Sequence, residues 1–167
     1  IARILFRDEK KKEAIIYLDK NFNKINNPNI YTIYDFADFL KNNEKFKESI
    51  IQYSRVLEAI SKNHYLYAEA SEGRGIAYER SDQWKKAEND FLNSLKASPN
   101  QPYVINYLAY SWIEKGLYIE KSLKMLEKAN ELKKNDGYII DSLGWALFKL
   151  KKYKKAKEYL ELAVRIM

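Results

Sequence analysis

Few of the 167 residues carry side chains suited to catalysis. The chain has no cysteine and one histidine, His64. Thiol catalysis, a disulfide scaffold, Cys-ligated zinc or iron–sulfur sites and multi-histidine metal centres are therefore excluded. Asp35 and Asp38 lie three residues apart, which in a helix puts both carboxylates on one face and would suit a hard cation. A calcium-like ion takes roughly six to eight oxygen ligands, however, and two carboxylates do not make a site. Gly73-Arg74-Gly75 is the one Gly-x-Gly, but no third glycine follows, so helix packing explains it better than a phosphate cradle. His64 has no matched Ser or Cys and reads as a surface or packing residue. The sequence predicts no enzyme, no cofactor and no metal. What remains is the chemistry of recognition: 14 Tyr, 7 Phe and 3 Trp.

The charge needs sorting before it suggests a partner. The formal net charge is +7, from 24 Lys and 6 Arg against 23 acids. Lys, Asn, Ile and Tyr are all abundant and share A/T-rich codons, so coding bias accounts for the excess of Lys. Arginine, whose fork matches phosphate and base edges, is scarce, which argues against nucleic acid. Hydrophobic residues at 46% and charged residues at 32% make a folding composition. Five Gly and three Pro leave too few turns for a many-stranded β fold. No apolar run approaches the roughly 18 residues of a membrane span.

The elements that must position the aromatic residues follow from a repeat. Small residues recur at Ala2, Ala37, Gly75, Ala109 and Gly144, spaced 35, 38, 34 and 35. A second small residue follows each at Ala14, Ser49, Ala87, Ser122 and Ala156, after 12, 12, 12, 13 and 12 positions. Leu5, Leu40, Tyr78, Trp112 and Leu147 lie three positions after the first. Leu18, Tyr53, Phe91, Leu126 and Leu160 lie four after the second. Phe46, Trp84, Ile119 and Tyr153 lie three before it, with Lys11 the exception. Spacings of three and four make one helical stripe. Each unit is thus two helices joined by a polar turn: NNEK, RSDQ, EKGL or KLKK. Pro102 opens a first helix, where its missing N–H costs little.

This pattern resembles the tetratricopeptide repeat, most closely in Gly75, Tyr78, Trp84, Ala87, Phe91 and Pro99, and the resemblance covers essentially the whole chain. It implies an all-α fold, a right-handed α-solenoid of antiparallel helix pairs. The units are expected at 1–29 (truncated), 30–67, 68–101, 102–136 and 137–167, forming a single array over 1–167. One unit cannot bury its own apolar face, so neighbours must stack. Ser61 to Leu66 adds four residues, for which a longer helix or a changed superhelical angle is expected. An extra residue falls near Gly116–Tyr118. The chain opens in mid-pattern and stops without a polar cap, which reads as an internal fragment of a longer repeat protein. The last two units look like those of bacterial multi-repeat proteins, some of them envelope-associated adaptors. Cytoplasm and periplasm fit equally.

The resemblance further implies a partner-binding groove lined by first-helix positions. On this chain those positions supply Tyr34 and Asp38, then Glu72, then Tyr103, Asn106, Tyr107 and Tyr110, then Tyr138, Asp141, Trp145 and Phe148. Across four units they carry seven acids and three bases, a net −4, leaving +11 for the rest of a chain whose total is +7. The expected ligand is a peptide or helix of another protein with basic and apolar residues, held by a scaffold or adaptor. The family's Lys/Asn/Arg clamp for heat-shock chaperone tails is disfavoured, because its positions hold Tyr34, Asp38, Gly73, Tyr103 and Tyr107, or Glu72, Ile76, Tyr107, Tyr138 and Ser142. The alternatives are binding of RNA or an anionic surface through the basic outer residues, and self-association.

Overall fold

The computed structural model describes residues 10–22 and 24–167, and these contain nine α-helices and no strand. They are α1 (Lys11–Phe22), α2 (Ile30–Asn42), α3 (Phe46–Ala59), α4 (Leu66–Glu79), α5 (Trp84–Ala97), α6 (Pro102–Glu114), α7 (Ile119–Leu132), α8 (Gly137–Lys149) and α9 (Tyr153–Ile166). Ala2 and Leu5 of the repeat pattern lie outside the described residues. Every second helix starts at the position three before its second small residue, at Lys11, Phe46, Trp84, Ile119 and Tyr153.

The four polar turns share one backbone device. The third residue of each is left-handed: Glu44 (φ 63°), Asp82 (φ 58°), Gly116 (φ 68°) and Lys151 (φ 60°). The next residue's N–H reaches back to the carbonyl of the large stripe residue five earlier. The pairs are Lys45 to Leu40 at 2.9 Å, Gln83 to Tyr78 at 2.9 Å, Leu117 to Trp112 at 2.8 Å and Lys152 to Leu147 at 2.9 Å. This is the Schellman closure of a helix C-terminus, where glycine is favoured because it lacks a Cβ. Only one of the four turns uses glycine. Lys151→Gly is therefore expected to stabilise the fold by about 1 kcal/mol, and Gly116→Ala to destabilise it by about as much. Urea denaturation midpoints read both. In the third of these turns Tyr118 is also left-handed (φ 47°), which absorbs the extra residue.

The helices gather into two compact units, residues 1–90 and 91–167, with the division falling inside α5. In the first unit, Phe22, Ile33, Phe36, Leu40, Tyr53 and Val56 form the core. Phe22 stacks on Phe36 with centroids 4.0 Å apart. The paired small residues do what their size permits: Ala37 and Ser49 are both fully buried, and the Ser49 hydroxyl donates to the Ala37 carbonyl at 2.9 Å, locking α2 against α3. Arg74 on α4 holds Asp90 on α5 with two hydrogen bonds, Nε at 2.7 Å and Nη2 at 2.9 Å, while Nη1 reaches Ser54 on α3 at 3.1 Å. Burial opposes the guanidinium charge, but the hydrogen bonds and charge of Asp90 overcome it and raise the Arg74 pKa.

In the second unit, Ala109, Ile113, Leu126, Leu143, Ala146, Leu147 and Ala156 pack together. At Gly144 an added Cβ would stand 2.7 Å from Leu160 Cγ, so the small residue is required for α8 to lie against α9. Phe91 on α5 packs on Tyr107 of α6, with centroids 5.1 Å apart.

The insertion does not lengthen a helix. The C-cap of α3, Ile60, takes an extended conformation (φ −121°, ψ 153°), and α4 begins only at Leu66. The Ser-Lys-Asn run that follows Ile60 has weak helix propensity, and its polar side chains favour turns. His64 turns back at the end of this connection. Its Nδ1 accepts from the Leu66 N–H at 3.2 Å, and its ring lies 4.7 Å from that of Tyr65.

Candidate functional site

In the first unit the first helices α2 and α4 present Tyr34, Asp38 and Glu72 together. Asp38 accepts from three donors: Lys41 Nζ at 2.6 Å, Asn42 Nδ2 at 2.8 Å and the Tyr53 hydroxyl at 3.1 Å. This carboxylate is thus already served by a cation one turn away, which answers the Asp35/Asp38 pairing considered from sequence. Among the described residues no group of three or more His, Cys, Asp or Glu side chains could hold a metal ion. Tyr53 belongs to the second helix α3, yet its ring passes through a gap left by Gly73: a Cβ there would lie 2.3 Å from Tyr53 Cζ.

The electrostatics of this face are strained toward negative charge. The Tyr34 phenol is pushed well above its usual range, first by burial and then by Glu69, Asp38, Glu72 and Asp35. The Glu72 carboxyl is also pushed up, first by burial, with Lys41 opposing and Glu69 and Asp38 adding to the rise. A carboxyl with a raised folded pKa binds more protons in the folded state than in the unfolded one. Its contribution to stability therefore falls as pH rises from the ordinary 4.5 through the raised value. Glu72→Gln is expected to stabilise the protein at neutral pH, and the gain is expected to vanish in acid below the ordinary carboxyl value. Denaturation at the two pH values measures it.

In the second unit the candidates divide. Tyr103 is about half exposed, but its hydroxyl donates to Asp136 Oδ2 at 2.9 Å and accepts from Lys133, whose ammonium lies 4.1 Å from the ring centroid. It ties α6 to the connection before α8. Tyr107 packs on Phe91, and Asn106 buries its Oδ1 with no hydrogen-bond partner. The open face is made by Tyr110, Tyr138, Asp141, Trp145 and Phe148. Tyr138 is 72% exposed and Phe148 44%. Trp145 stacks on Phe148 with centroids 5.3 Å apart and planes 7° from parallel. Its indole N–H donates to Glu114 Oε1 on α6 at 2.5 Å, and Lys149 Nζ stands 4.6 Å from its ring centroid. The phenol of Tyr110 is raised by burial, then by Glu114 and Asp141.

The sequence places Glu114 and Lys149 among the first-helix groove positions without pairing them to Trp145, and it singles out neither Lys133 nor Asp136. Glu114 stands one turn from Tyr110, a spacing that marks a shared face, but its pairing with an indole 31 residues away has no local signal.

Comparison with known proteins closes the question of the fold. A sequence model of the tetratricopeptide repeat matches residues 139–166, which span the pair α8 and α9. The same helix pair recurs along the described chain. The pair α8 and α9 is a tetratricopeptide repeat. No curated protein sequence matches it. Its repeats superpose on a MamA RS-1 double mutant with a TM-score of 0.78 at 19% identity, covering 99% of this chain and 89% of that one. MamA 41-end from Desulfovibrio magneticus RS-1 gives 0.77 at 19% identity, covering 99% and 90%. The C-terminal part of a TPR repeat-containing protein from Cytophaga hutchinsonii gives 0.75 at 17% identity, covering 99% and 63%. At these identities the likeness is one of fold: this chain shares the all-α solenoid class with them.

Proposed function

We propose that the chain is a non-enzymatic protein-interaction scaffold, acting as one repeat array, whose first-helix faces bind a segment of another protein. One observation carries this reading. On α6 and α8 the rings of Tyr110, Tyr138 and Phe148 are exposed, and beside them the half-buried Trp145 is held in place by Glu114 on one helix and by the stack with Phe148 on its own. A rigid aromatic anchor loses little conformational freedom on capture, which is how preorganisation strengthens binding. The negative character of the Tyr34–Glu72 face supports a partner that carries basic residues beside its apolar anchors.

The test is a pull-down with the intact protein and with the Trp145→Ala/Phe148→Ala variant, the captured proteins being identified by mass spectrometry. The variant is expected to recover each specific partner about tenfold less well, because central aromatic residues dominate interface energies. An unchanged set of captured proteins overturns the assignment of this face.

A further inference from the structure

Four side chains of the second unit form an open frame across two helices. Tyr110 and Glu114 stand one turn apart on α6, and Asp141 and Trp145 one turn apart on α8. The Trp145–Glu114 bond joins the two helices at one end. Burial and then the charges of Glu114 and Asp141 raise the Tyr110 phenol, so both carboxylates face the region of that ring. Tyr110 is 39% exposed, which leaves its ring reachable from solvent.

We infer that this frame is a subsite for an arginine side chain on a segment of another protein. The inference rests on the interaction reading above and sharpens it to one residue type at one place. The frame offers two kinds of surface: an aromatic face and a pair of carboxylate acceptors. A planar guanidinium uses both, stacking on the ring while its N–H fork reaches the carboxylates. Glu114 keeps acceptor capacity beyond the bond to Trp145, since a carboxylate has about four lone-pair sites. An acidic side chain meets two like charges here, and an apolar one leaves both carboxylates desolvated without compensation. Apolar residues on either side of the arginine then lie against Phe148 and Tyr138.

The test is selection of a random peptide display library on the full chain, run in parallel on the Glu114→Gln/Asp141→Asn variant. These amides keep the shape, and the carboxamide oxygen that Glu114→Gln leaves in place still accepts from the indole. Circular dichroism and the thermal midpoint establish that the variant is folded. The expected result is enrichment of one arginine flanked by apolar residues on the parent protein only. A synthetic peptide from that pool is expected to bind the variant about tenfold more weakly, and to lose about as much when its arginine is changed to citrulline. Selected peptides that need Trp145 but lack arginine, that accept lysine equally, or that ignore the amide variant overturn the subsite and leave the interaction reading standing. Peptides indifferent to Trp145→Ala, or no selection at all, overturn both.

Discussion

Asp90→Ala is expected to cost the fold about 3–5 kcal/mol, the range for removing one partner of a buried ion pair. Asp90 is 1% exposed and holds the guanidinium of Arg74 through both carboxylate oxygens. With Asp90 truncated, Arg74 keeps a charge that burial already opposes, and Ser54 becomes its one remaining hydrogen-bond acceptor of those the structure shows. The penalty is thus mostly the stranded cation, not the lost attraction. That distinction is testable. Replacing both residues together, Arg74→Met with Asp90→Leu, is expected to recover most of the loss, because an apolar pair of similar volume needs no desolvation. Urea denaturation of the single and double variants decides. A cost below about 1 kcal/mol for Asp90→Ala would mean that the contact joins nothing of consequence between α3, α4 and α5.

Gly73→Ala is the second large effect, with an expected loss of about 3 kcal/mol, the upper end for overpacking. The added methyl would stand 2.3 Å from Tyr53 Cζ and 2.4 Å from its oxygen. Tyr53 is fully buried, and its hydroxyl is bonded to Asp38, so the ring has no easy retreat. Tyr53→Leu in the Gly73→Ala background removes the colliding ring and is expected to make the two changes less than additive. Urea denaturation of the single and double variants measures the coupling. Full additivity would show that the ring moves aside without cost.

The repeat is legible because it is built from spacing. Small residues twelve or thirteen apart and large ones at three and four mark the helix pairs, and in the structure four second helices start at the stripe residues Phe46, Trp84, Ile119 and Tyr153. The turns are legible as polar segments, but the left-handed third residue is not legible in all of them: Gly116 and Asp82 are of types that favour positive φ, whereas Glu44 and Lys151 are not. The length of the insertion is visible in the sequence and suggests a longer helix or a changed superhelical angle, whereas the extended Ile60 that forbids the longer helix is not visible. For the candidate face, helical register identifies which side chains lie together, Tyr138 with Asp141, Trp145 and Phe148. It does not tell open residues from engaged ones. Tyr103 and Tyr107 have the same register as Tyr110, yet one is clasped by Lys133 and Asp136 and the other is packed on Phe91. Those partners lie 16 to 33 residues away, beyond the reach of a local pattern.

The four turn closures also give the molecule a set of internal clocks. The amide hydrogens of Lys45, Gln83, Leu117 and Lys152 sit in polar turns but are bonded to carbonyls of the preceding helix. Such an amide exchanges with deuterium only when its own hairpin opens. In a chain whose units touch mainly their neighbours, opening is a local event, and each unit has its own free energy. The exchange rates of these four hydrogens, followed separately, therefore chart how stability is distributed along the repeats. They also show which hairpin a bound segment holds shut.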